Sequence, residues 1–338
     1  MKAIVLYGPG DVRLADFPEK EMGEQDVRIR VSYCGICGSD FHKVAGKKNT
    51  HPVHYPVPLG HEISGIVEAV GAKVTRFHVG DRVSADPNHS CGKCRYCQAG
   101  KPSFCEEARG VVKGMAEFVV APEENVYPLP DGLSLQMGAL AEPLSCCLHG
   151  MDLLNMQMGE NVALVGYGAI GAMMMPLLRR AGAGKILVLE LSEERRAMAL
   201  EAGADYAISP TDIEKIEALC RELWITKVME CVGVTAAQET ALQVAGFGAT
   251  VVLFGVGDSA ARLPLSTHAA FLKELVIKTS FINPHTMERA LALLACGALK
   301  KEHVISTVLS MEEAVQEFHT PRHSKKGKVL VRIAPDAQ

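Results

Sequence analysis

Val162-Ala163-Leu164-Val165-Gly166-Tyr167-Gly168-Ala169-Ile170-Gly171 is the stretch on which the fold turns. Its first four residues form an apolar run that reads as a buried strand. The strand enters a Gly-x-Gly-x-x-Gly turn and then a helix to about Ala181. Lys185 to Glu190 is a second buried strand, and it ends in an acid 19 residues after Gly171. A bare Gly-x-Gly-x-x-Gly is common by chance. A strand before it, a helix after it and an acid at that distance supply the context of a dinucleotide-binding fold. Gly166, Gly168, Ala169, Ile170 and Gly171 then make the cofactor loop. The glycines form a tight turn and admit a pyrophosphate to the helix N-terminus, where backbone N–H groups and the dipole receive negative charge. Glu190 can accept hydrogen bonds from the adenosine ribose. A 2′-phosphate would meet its charge, so NAD is favoured over NADP. Arg195, five residues on, weakens that preference if it lies on the adenine side; otherwise it is a helix-surface charge.

Downstream the alternation continues. Helices through Ser192–Ala202, Ile213–Leu223 and Thr235–Val244 separate strands at Tyr206–Ile208, Lys227–Gly233 and Ala249–Gly255. This is a doubly wound parallel sheet, assigned to residues 151–282. Gly233 and Gly255 fall at strand ends, where either the ligand crevice opens or the chain makes a tight turn. Residues 283–338 carry amphipathic helices at Thr286–Ala295 and Met311–Phe318 and a closing strand, Gly327–Ile333. That strand is expected to return to the sheet of the first domain, which makes the first domain discontinuous in sequence.

Upstream, residues 1–150 alternate with period two in short stretches, among them Val27-Arg28-Ile29-Arg30-Val31 and Ile63 to Val70. A compact, partly open β-barrel follows. Pro52, Pro56 and Pro58 favour an extended loop that delivers His61. Gln136 to Met151 reads as one helix containing Glu142-Pro143; the carboxylate there either complements the helix dipole or faces a metal.

Two stretches carry metal chemistry. Cys91, Cys94, Cys97 and Cys105 have the spacing of a tetrathiolate zinc lobe, which is closed and therefore structural. Tyr33-Cys34-Gly35-Ile36-Cys37-Gly38-Ser39-Asp40-Phe41-His42 gathers a thiol, a hydroxyl, a carboxylate and an imidazole, with Gly35 and Gly38 to bend the backbone. Alone, its Cys-x-x-Cys suits a redox pair, half a zinc knuckle or two buried thiols. With His61-Glu62 downstream it offers a mixed S/N/O set. Three such ligands with room for water are how catalytic zinc is held.

Composition sets the class. The 338 residues, too many for one small core, carry a net charge of −4 and are 48% hydrophobic and 22% charged. No basic excess points to nucleic acid. The start of the chain lacks the apolar run of a signal peptide, and Ala169–Leu178 is broken by Gly171 and Pro176, so no membrane association is expected. A cytoplasmic location follows as the default, with the 11 cysteines as thiols or metal ligands.

Taken in order, Gly35-Ile36-Cys37-Gly38-Ser39-Asp40-x-His42, Gly60-His61-Glu62-x-x-Gly65, the four-cysteine lobe, Glu142-Pro143-Leu144-Ser145 and Gly166-x-Gly168-x-x-Gly171 resemble the zinc-dependent medium-chain dehydrogenase/reductase family over essentially the whole chain. Gly-His-Glu and Glu-Pro-Leu-Ser are similar to the polyol and threonine dehydrogenase branch, and Ser280-Phe281-Ile282-Asn283-Pro284 is closer to the polyol side. The resemblance implies a GroES-like barrel domain beside a Rossmann domain. It implies a catalytic zinc on Cys37, His61 and Glu62, with Glu142 binding the metal or holding its water. Asp40 would orient a ligand, and Ser39 and His42 would relay the proton. The implied reaction is oxidation of a secondary alcohol of a polyol to a ketone with hydride transfer to NAD. The rival substrates are L-threonine and butanediol. A non-catalytic NAD(H)-binding zinc protein is the rival of another class, and the Ser39–His42 relay argues against it. Family members are commonly dimers or tetramers joined through the cofactor-domain sheet. Leu275-Val276-Ile277 is the candidate seam, unless it is an internal strand.

Overall fold

The structure is a computed structural model that describes residues 1–47 and 53–334; Pro52 lies outside the described residues. The chain divides into two compact units, Met1–Ser145 with Asn283–Gln338, and Cys146–Ile282. The division falls before residue 150, within the helix Ala141–Leu154.

The first unit is built on the strand Asp26–Gly35, whose first half alternates between buried and half-buried residues as its Val-Arg-Ile-Arg-Val pattern requires. It pairs antiparallel with Glu62–Val70 on one side and with Lys328–Arg332 on the other. The sheet runs Val126–Pro128, Arg82–Ala85, Glu62–Val70, Asp26–Gly35, Lys328–Arg332, Ile305–Leu309, with Phe118–Pro122 also on Asp26–Gly35. A smaller sheet sets Lys2–Gly8 between Asp11–Asp16 and Val57–Pro58. Ile4, Leu6, Ile29, Val31, Leu59, Ile63 and Val331 meet in one core, each fully buried. Burial of such side chains is worth about 1.5–3 kcal/mol apiece, so this core fixes the register of the strands that carry the site.

Gln136–Met151 is not one helix. A short helix, Leu135–Gly138, stops, and Ala141–Leu154 begins after it. Pro143 explains the break, because a residue without an N–H is tolerated in the first turn of a helix and not in its interior.

The second unit is a six-stranded parallel sheet in the order Tyr206–Ile208, Ile186–Leu189, Val162–Val165, Lys227–Glu230, Thr250–Leu253, Val276–Thr279. The order reverses between Val162–Val165 and Lys227–Glu230, which is the switch point at which such sheets open a ligand crevice. Both strands are buried throughout, as expected with helices on both faces. Val276–Thr279 is the edge strand, with Val276 exposed, so Leu275-Val276-Ile277 is not internal to the sheet. Among the described residues no helix is long and apolar enough to cross a membrane.

Candidate active site and metal centres

One strand end and one strand start converge in the first unit. Asp26–Gly35 ends at Gly35, Cys37 follows in extended backbone as the N-cap of the helix Gly38–Val44, and Glu62 opens the strand that pairs back onto Gly35. The convergence needs Gly35 for space rather than for a bend: a Cβ there would lie 1.9 Å from Glu62 Oε2. The ligand atoms of Cys37, His61 and Glu62 lie within 4.8 Å of one another. Thiolate, imidazole and carboxylate at that spacing suit zinc, with ligand bonds of roughly 2.0–2.3 Å.

Glu62 has a partner that the sequence did not announce. Lys328 Nζ donates to its Oε1 and Oε2 at 2.6 and 2.8 Å and to Ile36 O at 3.2 Å. Both side chains are buried. Burial alone would lower the pKa of Lys328, but the charges of Glu62 and Cys37 outweigh it and raise it. A carboxylate oxygen carries two lone pairs, so the ion pair leaves Glu62 able to face a metal as well.

Asp40 is fully buried under the set. Its oxygens accept from Cys37 N–H at 3.1 Å and Gly60 N–H at 3.2 Å, and Oδ1 stands 3.8 Å from His61 Nδ1. Burial would raise its pKa, but Lys43, His61 and the two N–H bonds together hold it below the usual carboxylate range. Ser39 and His42 are half-buried and three residues apart on Gly38–Val44, hence on one helix face. Glu142, in the first turn of Ala141–Leu154, is buried but is not one of the three converging ligands. Burial first, and then the charges of Glu62, Cys37 and Asp86, push its pKa up to about 8 against the pull of His61.

Cys91, Cys94, Cys97 and Cys105 gather their sulfurs within 4.8 Å. Cys94 N–H donates to Cys91 Sγ, and Cys91 N–H and Glu107 N–H donate to Cys105 Sγ, each at 3.3 Å. N–H groups aimed at sulfur favour thiolates. The same effect, led by the N–H of Cys97 and then that of Glu106, brings Cys94 down to about 6, while burial and the hydrogen bond to Cys94 push Cys97 up to about 11, the opposite direction that a shared proton between the two sulfurs produces. Four such donors fit a structural zinc.

In the second unit Gly166 has φ +91°, and a Cβ on Gly171 would lie 2.2 Å from Gly166 O, so the loop folds tightly onto its helix. Gly168 caps that helix, which starts with Ala169 and Ile170. Glu190 sits beside the loop with its carboxylate engaged. Oε2 accepts from Tyr167 N–H at 2.8 Å; Oε1 accepts from Ser192 N–H at 2.9 Å and from Arg195 Nη2 at 2.7 Å. Gly233 and Gly255 pack backbone to backbone, where a Cβ on Gly255 would meet Gly233 N at 2.1 Å. The buried Glu230 secures that turn, accepting from Val232 N–H and Gly233 N–H at 2.6 and 2.7 Å.

Comparison with known proteins identifies the family. The alcohol dehydrogenase GroES-like domain matches residues 23–131, and the zinc-binding dehydrogenase domain matches residues 169–296. Sorbitol dehydrogenase of Rattus norvegicus is 32% identical over 99% of this chain and 97% of its own length. The chain belongs to the zinc-dependent medium-chain dehydrogenase/reductase family. Two solved relatives superpose closely on this dehydrogenase. A zinc-binding dehydrogenase of Sinorhizobium meliloti with NADP bound is 34% identical, covers 98% of each chain and has a TM-score of 0.91. Galactitol-1-phosphate dehydrogenase of Escherichia coli is 30% identical, covers 98% of this chain and 100% of its own, and has a TM-score of 0.90.

The dehydrogenase holds three site groups that sequence reasoning missed: Lys328, Glu230 and Asp86. Lys328 carried a signal, since a lysine opening the apolar strand Lys328-Val329-Leu330-Val331 is buried only with an acid to pair it. Asp86 carried none. Burial pushes it up to about 6 against the bond from Asn88 N–H at 2.9 Å.

Proposed function

We propose that this dehydrogenase oxidises a secondary alcohol of a polyol to the ketone, with NAD as the hydride acceptor. The observation that carries the reading is the convergence of Cys37, His61 and Glu62 with the buried Glu142 near them. Carboxylates beside the metal set suit a hydroxyl-rich substrate better than an apolar pocket does. Cys37, His61 and Glu62 would hold zinc, with Glu142 ligating or holding its water. When bound, zinc supplies Lewis acidity that makes a substrate hydroxyl a stronger acid. NAD, held by the loop Gly166 to Gly171, supplies the hydride-accepting chemistry.

The remaining work falls to the chain's own groups. Ser39 Oγ accepts the hydroxyl proton as it gives its own to a ring nitrogen of His42. Asp40, locked by two backbone N–H groups, sets the position of His61 and of Cys37. Lys328 holds Glu62 in place through both oxygens. Glu190, held beside the glycine loop by Tyr167 N–H, would favour NAD by disfavouring a 2′-phosphate. The open edge strand Val276–Thr279 is the proposed seam of a homo-oligomer.

The test is NADH formation at 340 nm from NAD with sorbitol, xylitol and arabitol beside L-threonine, 2,3-butanediol and simple aliphatic alcohols, before and after chelation. Chelator-sensitive oxidation selective for polyols is expected. Preference for an aliphatic alcohol over every polyol by kcat/KM would sink the substrate class.

A further inference from the structure

The helix that presents Glu142 is fastened at its first turns by a residue 141 positions away in the chain. Thr286 Oγ1 donates to Ser145 O at 2.8 Å and also lies 3.1 Å from Asn283 O, so one proton serves two carbonyls. Ser145 Oγ in turn donates to Glu142 O at 2.6 Å. Ser145, Asn283 and Thr286 are all buried. The first unit leaves off at Ser145 and resumes at Asn283. The helix Ala141–Leu154 therefore passes out of that unit just after the turn that carries Glu142. Thr286 holds that turn to the unit in which Cys37, His61 and Glu62 converge.

The fastening segment is itself under strain. Ile282 at φ +48° and His285 at φ +57° sit in the left-handed region on either side of Asn283. Such conformations persist in non-glycine residues only where the surroundings over-determine them. Asn283 Oδ1 accepts from Asn88 Nδ2 at 2.7 Å, across 195 residues of chain. Asn88 Nδ2 also donates to Asp86 Oδ1 at 3.3 Å. A carboxylate only accepts, so the orientation of both amides is fixed. Asn125 Nδ2 clamps the same stretch from behind, donating to Asp86 O at 3.0 Å and to Asn88 O at 3.1 Å. Asn88–His89 pairs antiparallel with Arg109–Gly110, and that ladder is the stem that closes the four-cysteine lobe. Hydrogen bonds thus run from the stem of the lobe, through residues 283–286, to the turn of Glu142.

We infer that Asn283 and Thr286 are positioning residues, which carry the order of the cysteine lobe's stem to the helix turn that presents Glu142. The lobe then serves the reaction as well as its own loop. The inference rests on the reading that Glu142 ligates the metal or holds its water.

The test follows release of the zinc at Cys37, His61 and Glu62 to a chelator, by metal analysis, in the parent, E142Q, T286V, T286S and E142Q/T286V. Release needs no substrate, so it stands apart from the polyol assignment. Removing a group that holds a ligand in place costs about tenfold to a hundredfold in metal affinity. E142Q and T286V should each speed release by about tenfold or more. T286S keeps the hydroxyl and should stay near the parent. The double variant should be no faster than E142Q, because Thr286 acts through Glu142. Effects that multiply in the double variant would overturn the positioning role, as would T286V at the parent rate. E142Q at the parent rate would instead overturn the place given to Glu142 beside the metal, and the inference with it. Hydrogen exchange on the zinc-loaded protein tests the link to the lobe. N88A, which leaves all four cysteines in place, should speed exchange at residues 144–148 by about tenfold, and C94S should do the same. Exchange there at the parent rate in both variants would overturn that link.

Discussion

Replacing Lys328 by methionine strands Glu62. The two side chains are 3% and 1% exposed, and Nζ holds both carboxylate oxygens at 2.6 and 2.8 Å. Methionine has nearly the volume of lysine, so the loss is one of charge and hydrogen bonds rather than of packing. Removing one partner of a buried pair costs about 3–5 kcal/mol. An independent bound agrees: a stranded carboxylate can take up a proton, and neutralising an ordinary glutamate at pH 7 costs about 3.7 kcal/mol. By the same arithmetic the cost falls to about 1 kcal/mol at pH 5. The destabilisation therefore grows with pH, since the folded variant keeps a proton that the unfolded chain releases.

The assay is native-state hydrogen exchange on the metal-free protein, read at the amides of Glu62–Val70 and Lys328–Arg332. At pH 7 these should open several hundredfold more readily in K328M than in the parent, a factor that follows from about 3.7 kcal/mol. K328R should restore protection. The double variant E62Q/K328M should recover most of the loss, because no charge is then left buried alone. A loss below about 1 kcal/mol at pH 7, or an equal loss at pH 5, would refute the reasoning, since either outcome means that Glu62 reaches water or another cation.

Other consequences are as direct. C94S should remove one zinc per chain, by metal analysis, and expose the lobe to trypsin at Arg95 and Lys101; unchanged zinc content would refute the tetrathiolate site. E190A should raise kcat/KM with NADP relative to NAD by about tenfold, since a like charge facing the 2′-phosphate is gone while Arg195 remains. Asp205 is held at about 2: burial opposes this, but Ile186 N–H, Arg179 and Lys185 outweigh it. Its contribution is present above the usual carboxylate pKa and lost as pH falls toward 2, and D205N should remove roughly 1 kcal/mol at pH 7 after solvent screening, by urea unfolding. Glu142 has the opposite sign. Its pKa of about 8 means that the metal-free protein loses stability as pH rises from about 4.5 toward 8, and E142Q should flatten that slope.

How far the chain could be read from its letters follows from how locally each feature is encoded. The glycine-rich loop was legible because strand, glycines, helix and acid lie within one short βαβ unit, with Gly171 required by its contact with Gly166 O and Gly166 by its φ of +91°. The four-cysteine lobe is local for the same reason, with each N–H to sulfur bond closing over a short loop. The break before Ala141 was also written locally, in Pro143, which fits only the first turn of a helix. Lys328 differs in kind. It stands 266 residues from Glu62 and reaches it only because the terminal strand inserts beside Asp26–Gly35, in a register that sets Leu330 opposite Gly35. No local period encodes that meeting. What the letters did hold was the anomaly at each end: a glycine where the strand needs space, an acid opening one buried strand and a lysine opening another. Each is unfavourable alone and satisfied only together, so pairing such misfits across a chain is a physical route to contacts that periodicity cannot reach.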